Sequence, residues 1–565
     1  MQKLISTIKS HFNEVLLPNL LYIILIFMSL SLFIITIIFP SDIYSNLVNN
    51  KISLEQRQLF FNIIAIVLST SVVLTFLFFG IEVISRYMGK QFSLIRKAKW
   101  FRILIIMFLI PIFLNTDEWR KHAILYFIML LCTGLFLYSY FSSAYKSMEG
   151  KIKLYIDDKI EKRIVAFLLW SGILSYTIYF GYYTIIAHYQ YQTSAYDFGI
   201  VVNYFWGTFF TDIFLHCGYF GDLGTYFTSH IELTPLLFIG PLFYLIPIPE
   251  TILVGQALII GLAALPIYLL SYHLIKSRWA ALVIVFCYLI NPCNHGANFY
   301  DYHQLSNIAF VLGFLIYFMV KRRTIPYFIF LILFILIKED IGLYLVFISL
   351  YFIFFQKRYI IGFISILIGV AWFATCKFLI MPYFNTMNLT FYYSEMVPYK
   401  QEVTEIFKSI FINPLFTLTV MIKPEKLLYY FQMLVPFALL PFLRLRYILF
   451  FGYGLFITSL VTYNPVYQIS FQYLWYLLGG LFIASIFALS DIKENKSHRL
   501  KKINFKAVLT VMLILSIVVS YQYGAIINRK QFKGGFRKIG LIMAKNTLLI
   551  HLSVLDLCQT RVQND

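Results

Sequence analysis

Residues 196–235 read YDFGIVVNYFWGTFFTDIFLHCGYFGDLGTYFTSHIELTP. The charge pattern of this stretch indicates how the rest of the chain is organised. The stretch follows a long apolar run and carries three aspartates, two histidines and one glutamate, but no lysine or arginine. The region without basic residues is longer still and extends from Arg163 to Lys276. Because lysine and arginine concentrate in the cytoplasmic loops of membrane proteins, the pattern predicts a loop on the outer side of a membrane.

The composition of the whole chain supports this class of protein. Of its 565 residues, 60% are hydrophobic and only 13% are charged, whereas a soluble domain has about 25% charged residues. The net charge of +20 comes from short basic clusters between apolar runs, which indicates contact with anionic membrane lipids and not with nucleic acid. The six cysteines form no CxxC or Cys/His metal spacing. No metal or cofactor is predicted, because the acidic residues do not form a tight pair; the alternative is a metal ion held by Asp301, His303 and Asp197.

The alternation of apolar runs and basic clusters predicts an all-α polytopic membrane protein with about fifteen transmembrane helices. The N-terminus is placed in the cytoplasm and the C-terminus outside the cell membrane. The predicted spans include those at about 16–40, 103–115, 427–443 and 447–462. Residues 291–307, NPCNHGANFYDYHQLSN, are predicted to be an outer loop, and residues 327–355 a pair of short helices with Lys338, Glu339 and Asp340 at the outer turn.

Residues 233–250 contain four prolines and are interpreted as a short juxtamembrane helix that lies at the outer interface or enters the membrane and returns to the same side. Three parts are predicted: a four-helix membrane module over 1–160, a membrane core over 161–490, and a last helix over 491–565 with a short outer tail that looks truncated.

Polar side chains collect at five places on the predicted outer face, each at the end of an apolar run. A carboxylate held against a low-dielectric wall can have a raised pKa and can act as a general base. The five groups are Asp197 in YDFG, His230 and Glu232 in SHIELTP, Asp301 and His303 in NFYDYHQ, Lys338, Glu339 and Asp340 in IKED, and Tyr463, Asn464, Gln468 and Gln472 in YNPVYQISFQY.

Each of these groups also has a purely structural interpretation, which the sequence leaves open. The structural roles are an N-cap for Asp197, a mutual contact between Asp301 and His303, an ion pair of Lys338 with Glu339 or Asp340, and interfacial positions for His230 and the Tyr and Gln residues of the last group. No GxGxxG, Walker A, GxSxG or HExxH motif is present, so nucleotide-binding, serine-hydrolase and zinc-protease functions have no supporting motif.

The order of several motifs resembles the DUF2079 family of predicted bacterial and archaeal membrane proteins. The similarity covers about residues 190–490. The motifs that carry it are YDFG, SHIELTPLLF, QALIIGLAALPIYLLSYHL, GANFYDYHQL, LIKEDIGLYL, NPLFTLTVMIKPEKLLYY and YNPVYQISFQY.

That family is in turn similar in plan to the GT-C glycosyltransferases, such as protein O-mannosyltransferases and aminoarabinose transferases. The resemblance implies a GT-C-like core with Asp197 at the acidic position of the first large outer loop, and with Lys338 in the place of a later lysine. His230 and Pro235 match a His-Pro segment, although four residues separate them here. Four predicted spans precede the acidic loop, so residues 1–160 would be an added module.

The resemblance implies an inverting, metal-independent glycosyltransferase with a polyprenyl-phosphate-linked sugar donor and an unknown acceptor. Asp197 would be the catalytic base, and the substrate-binding residues would be His230, Glu232, Asp301, His303, Lys338, Glu339, Asp340 and Gln472. The alternative from the same polar groups is a transporter or flippase of a lipid-linked or anionic substrate. A third hypothesis is a non-catalytic assembly or sensing protein.

Overall fold

A computed structural model describes most of the chain. It covers residues 8–33 in part, 52–88, 103–104, 123–148, 157–220, 224–228, 230–384, 393, 395–396, 403–496 and 500–527. The predicted spans at about 16–40 and about 103–115 lie largely outside the described residues, and so does the tail after residue 527.

The described residues are helical, without a β-strand, in two compact units that comprise Met1–Ile152 and Lys153–Asp565. The first unit has α1 (Leu54–Tyr87) and α2 (Ala123–Met148). The helices of the second unit are α3 (Asp158–Tyr189), α4 (Asp197–Phe210), α5 (Thr234–Phe238), α6 (Gly240–Leu245), α7 (Pro249–Leu262), α8 (Ala264–Ile275), α9 (Arg278–Leu289), α10 (Pro292–Phe299), α11 (Ile308–Val320), α12 (Thr324–Ile335), α13 (Ile341–Gln356), α14 (Tyr359–Thr375), α15 (Val403–Ile412), α16 (Pro414–Met421), α17 (Pro424–Leu434), α18 (Gly452–Leu460), α19 (Trp475–Lys493) and α20 (Phe505–Tyr523). The predicted division at residues 160 and 490 stays a prediction.

Seven helical segments in the described residues are long and apolar enough to cross a membrane, or eight if the bent pair α9–α10 counts as one span. Three shorter apolar helices accompany them: Gln304–Val320, Thr324–Ile335 and Ile341–Gln356. The all-α polytopic fold is thus confirmed, whereas the count of about fifteen spans is not. The seven segments are Leu54–Ser85, Ala123–Met148, Asp158–Tyr189, Pro249–Ile275, Tyr359–Tyr383, Gln472–Lys493 and Phe505–Tyr523.

The segment Gln472–Lys493 is the central helix of the second unit, because 94% of its most apolar 18-residue stretch is buried. Small residues allow neighbouring backbones to approach it closely, as is common between membrane helices. A Cβ atom at Gly454 would lie 2.4 Å from the Tyr476 carbonyl oxygen, and one at Gly480 would lie 2.0 Å from that of Phe450. The 445–460 region is therefore held tightly against α19.

The predicted pair of short helices around Lys338, Glu339 and Asp340 is present as α12 and α13, and the three charged residues lie in the turn between them. The neighbouring helix α14 packs closely on α13. A Cβ atom at Gly342 would lie 2.2 Å from the Gly369 carbonyl oxygen, and the reverse contact would be 2.5 Å. This close packing fixes the position of the turn relative to α14.

Three predicted segments differ from the structure. The polar sequence after α9 was expected to be an outer loop, but it contains α10, all eight residues of which are buried. The segments at about 427–443 and 447–462 were expected to be continuous spans, and this is wrong. They are broken into α17, three short 3-10 helices and α18, because Pro436 and Pro441 lack a backbone N–H donor and residues 438–439 are left-handed.

Candidate functional site

The end of the 211–233 loop is bound to the turn between α12 and α13. The backbone N–H groups of Leu233 and Thr234 both donate to the Leu336 carbonyl, at 2.8 and 3.0 Å. The Thr234 hydroxyl donates to the carbonyl of Leu333 at 2.5 Å. These bonds bring SHIELTP and IKED together, although about a hundred residues separate them in sequence.

His230 and Glu339 form the centre of the contact. The Nδ1 atom of His230 lies 3.1 Å from Oε1 of Glu339, and the Ile231 N–H donates to Oε2 of the same carboxylate at 3.2 Å. Glu339 is 4% exposed. Burial acts to raise the pKa of Glu339, but the charges of His230 and Lys338 outweigh it and hold the pKa below its ordinary value.

Asp340 is bound by two tyrosines that the sequence did not identify. The hydroxyl of Tyr453 on α18 donates to Oδ2 at 2.8 Å, and the hydroxyl of Tyr476 on α19 lies 2.8 and 3.0 Å from the two carboxylate oxygens. Burial raises the pKa of Asp340, while the charge of Lys338 opposes this shift. The turn is therefore linked to both of these helices by charge-assisted hydrogen bonds.

Glu232 lies behind this turn and is fully buried. Its Oε1 atom accepts a hydrogen bond from Gln304 Nε2, while Oε2 has no hydrogen-bond partner among the described residues. Burial raises the pKa of the Glu232 carboxyl well above its ordinary value, and the charge of Lys338 acts in the opposite direction. Lys338 thus lies among three acidic side chains and compensates part of their charge.

His230, Lys338, Glu339 and Asp340, here called the polar cluster, line a cavity of about 410 Å³. Most of its remaining wall is apolar or aromatic, and Lys377 contributes a second ammonium group. The volume lies within the range of about 300–1,000 Å³ that is typical of small-molecule sites. The other lining residues are Leu343, Phe373, Tyr393, Ile406, Tyr453, Phe456, Ile457, Leu460, Val461, Val466, Tyr473 and Tyr476.

Asp197 belongs to a neighbouring group of residues. Its Oδ2 atom accepts a hydrogen bond from the Tyr300 hydroxyl at 2.9 Å, and the Tyr300 ring stacks on the ring of His303 at 5.1 Å. The backbone N–H of His303 donates to Oε1 of Gln256 at 2.7 Å. Burial, Lys338 and His230 together lower the pKa of His303 to about 3, so the polar cluster lies within electrostatic range of this ring.

Two of the structural alternatives are wrong. Asp197 is the first residue of α4 and not its cap; the Ser194 hydroxyl accepts the Asp197 N–H at 2.9 Å instead. Asp301 and His303 do not bind each other, because Oδ2 of Asp301 accepts the Ser194 N–H at 2.9 Å. The last predicted residue, Gln472, begins the turn that leads into α19, and its buried Oε1 atom has no partner in the described part of the chain.

Several residues of the site could not be found from the sequence. Tyr300, Gln304, Tyr453 and Tyr476 carry no signal in sequence, since tyrosine and glutamine are common in membrane interfaces. Lys377 could have been identified from the sequence, because it is the single charged residue within the apolar segment Tyr359–Tyr383. Such residues are functional candidates by default.

The fold and the polar cavity define the class of protein: a polytopic, all-helical membrane protein with a ligand-sized cavity between its helices. The family model described as predicted membrane protein (DUF2079) matches residues 187–535, more than half of the chain, and the chain belongs to this family. Comparisons with curated proteins and with solved structures find no match. The family resemblance of the sequence motifs is thereby confirmed.

A first prediction concerns Asp301, which burial gives a pKa of about 6 in place of 3.8. Since the folded-state pKa is raised, the stabilising contribution is complete below the unfolded value and is lost as the pH rises through about 6. The expected loss between about pH 4 and about pH 7 is about 2–3 kcal/mol. Asp301→Asn should remove this dependence, because asparagine keeps the acceptor oxygen and tolerates the left-handed backbone at φ 43°.

The measurement is the unfolding free energy of the detergent-solubilised protein across this pH range. Asp212→Asn is the matched control, since Asp212 is exposed, and it should leave the pH dependence of the wild type unchanged. An Asp301→Asn protein with the wild-type slope would show that this carboxyl does not titrate as its burial implies.

Proposed function

We propose that the protein is an integral-membrane glycosyltransferase that uses a polyprenyl-phosphate-linked sugar donor at the outer face of the cell membrane. The GT-C-like core, the outer-face juxtamembrane helices and the count of about fifteen spans form part of this proposal. Membrane lipids surround the protein, and the acceptor is a hydroxyl compound that enters from the outer side.

The observation that carries the proposal is the mixed lining of the cavity at the polar cluster. The polar cluster and Lys377 supply charged groups, and the wall also includes aromatic and aliphatic side chains such as Phe373, Phe456 and Leu460. A polyprenyl-phosphate sugar combines the same two kinds of group, a polar headgroup and a hydrocarbon chain. Pockets of this type, apolar with a few convergent polar groups, are the default ligand sites of proteins.

The proposed reaction is a single inverting displacement at the anomeric carbon. The acceptor oxygen forms a bond to this carbon while the bond between the carbon and the phosphate oxygen breaks. Asp197 takes the proton of the acceptor hydroxyl, and Lys338 stabilises the charge that develops on the departing phosphate. His230, Asp301 and His303 orient the sugar and the acceptor through hydrogen bonds and neighbouring contacts.

The contact between Asp197 and Tyr300 supports a single site. Asp197 is partly exposed and binds Tyr300, whose ring stacks on the ring of His303. The influence of Lys338 and His230 on the pKa of His303 is consistent with proximity of this ring to the polar cluster. The base and the phosphate-binding group would therefore approach one sugar from different sides.

The second candidate function is a transporter or flippase of a lipid-linked or anionic substrate. It is favoured by buried polar atoms that have no hydrogen-bond partner in the described residues and extend the polar region into the interior. These atoms are Oε2 of Glu232, Nε2 of His303, Oγ of Ser306 and Oδ1 of Asn307. A flippase would move the intact sugar lipid across the membrane, whereas a transferase would release the polyprenyl phosphate.

The test is a release assay with the full-length protein in lipid nanodiscs. A set of polyprenyl-phosphate sugars is supplied with a membrane extract as the source of acceptors, and free polyprenyl phosphate is measured by mass spectrometry. We expect Lys338→Met to lower the release by about 10–100-fold, the range of a charge-assisted hydrogen bond. The control is Lys162→Met, which removes an exposed lysine from α3 and should leave the release unchanged. No release from any donor by the wild type would contradict the proposed function.

A further inference from the structure

The helix that begins with α14 changes its geometry next to the cavity that the polar cluster lines. After Thr375 it continues as a π-helical turn over Cys376–Ile380, in which the Met381 N–H donates to the carbonyl of Cys376, five residues earlier. Such turns recur at functional sites because they rotate the side chains that follow them. Here the wall of the cavity includes Phe373 and, one turn later, Lys377.

The ammonium group of Lys377 has neither a hydrogen bond nor an ion pair with any residue of the described ranges. Its side chain is half-buried, and the negative charge of Glu339 acts on its ammonium group. Lys338 differs from it, because that lysine lies among Glu232, Glu339 and Asp340. Of the two lysines in the cavity wall, Lys377 is thus the one that has no direct carboxylate partner among the described residues.

A lysine without a direct carboxylate partner is costly in an apolar helix. A lysine at the centre of a transmembrane helix costs about 2.5–3.5 kcal/mol on insertion scales, and the cost is smaller near the end of the helix. Tyr359–Tyr383 is a candidate span, and Lys377 lies in its last third. An anionic group in the cavity would offset this cost, which gives the position a physical reason.

The same helix indicates where the anion comes from. Its other sides expose large apolar side chains, with Leu367 70%, Phe378 70% and Leu379 68% exposed. In a membrane these surfaces contact lipid chains, so one helix separates lipid from the cavity. A ligand with a hydrocarbon chain and an anionic headgroup matches both sides of it, whereas a soluble nucleotide matches only the charge.

We infer that Lys377 binds the phosphate of a lipid-linked ligand of the polyprenyl-phosphate class, and that the π-helical turn places its ammonium group in the cavity for this purpose. The inference rests on the proposed function, since it names the group that holds the donor in the same cavity. Lys338 then acts mainly on the carboxylates around it and on the charge that develops during transfer.

The experiment measures binding without any sugar, so that it does not depend on catalysis. Full-length protein in nanodiscs is titrated with a long-chain polyprenyl phosphate, with the uncharged polyprenol, and with inorganic phosphate, and binding is followed by native mass spectrometry. We expect Lys377→Met to weaken the binding of polyprenyl phosphate by about 10–100-fold. Lys377→Arg should retain most of the affinity, and the affinity for polyprenol should be equal in the wild type and in Lys377→Met.

Several results would overturn the inference. One is an unchanged affinity of Lys377→Met for polyprenyl phosphate, with Lys162→Met as the matched control and with equal thermal stability of the variants. Another is equal affinity of the wild type for inorganic phosphate and for the lipid, which would identify free phosphate as the ligand. A third is an equal loss of polyprenol binding, which would show a general distortion of the cavity.

The binding experiment and the release assay test the two proposals independently of each other. If Lys377→Met binds polyprenyl phosphate weakly but the wild type releases none from any sugar donor, the binding site stands and the transferase proposal falls. If the wild type transfers sugar while Lys377→Met binds the lipid normally, the transferase stands and the role of Lys377 falls.

Discussion

Replacing Asp197 with asparagine will slow sugar transfer by about 10²–10⁴-fold, the usual contribution of a general base. Asparagine has nearly the same shape and can still accept the hydrogen bond from Tyr300, so α4 should begin as it does in the wild type. What is lost is the ability to take a proton from the acceptor hydroxyl. The release of polyprenyl phosphate should fall, while the affinity for the donor should change by less than about 3-fold because the lipid phosphate lies at the lysines.

The matched control is Asp212→Asn, which makes the same chemical change at an exposed position just after the end of α4. A large loss of donor affinity in Asp197→Asn would assign this residue to binding instead of proton transfer. If Asp197→Asn kept full transfer activity, the mechanism proposed for Asp197 would be wrong, even with the cavity occupied by a donor.

Replacing Glu339 with alanine will lower the free energy of unfolding by about 3–5 kcal/mol, the cost of removing one partner from a buried ion pair. The substitution removes the contact with His230 and the acceptor of the Ile231 N–H together. It also leaves Lys338 with one fewer carboxylate. The loop that carries His230 and Glu232 should detach from the α12–α13 turn, so the cavity should lose part of its polar lining and its affinity for polyprenyl phosphate.

Denaturant titration of the solubilised protein measures this change, and Glu425→Ala is the control. Glu425 is exposed in the first turn of α17, so its removal should cost less than about 1 kcal/mol. Combination of Glu339→Ala with His230→Ala should cost less than the sum of the two single changes, because both remove the same contact. Additive costs would show that the pair contributes no mutual stabilisation.

The pH dependence provides a second measurement on the same pair. Because the pKa of Glu339 is held below its ordinary value, its contribution is present above the unfolded value and is lost as the pH falls through the folded value. Glu339→Ala should therefore differ most from the wild type near neutral pH and least in acid. A difference that grows in acid would contradict the assigned direction.

Several features of the fold follow from local sequence. Apolar length and the absence of charge predict α3, the α7–α8 segment, α14, α19 and α20, because a helix is the structure that satisfies its own backbone hydrogen bonds in lipid. The turn at Lys338–Asp340 is also predicted, since three consecutive charged residues interrupt an apolar run. The breaks at 435–451 are not predicted, because the prolines act there together with left-handed residues that tertiary packing holds in place.

The candidate site, like the fold, is only partly predicted by the sequence. The sequence identifies His230, Lys338, Glu339 and Asp340, and the structure brings these four residues to one cavity. Sequence cannot identify the partners of Asp340, because Tyr453 and Tyr476 lie 113 and 136 residues away from it. It also cannot show that Glu232, from a distant part of the chain, adds a third carboxylate near Lys338.

The opening stretch illustrates what each level determines. Its lack of basic residues and its position after an apolar run define, by themselves, a loop of a membrane protein, because hydropathy and charge distribution act through the solvent and need no tertiary contact. Only the tertiary structure decides what the two ends of the loop do: Asp197 contacts Tyr300, and His230 contacts Glu339. These contacts depend on helices that meet from distant parts of the chain, and the buried hydrogen bonds at Leu336 fix which ones meet.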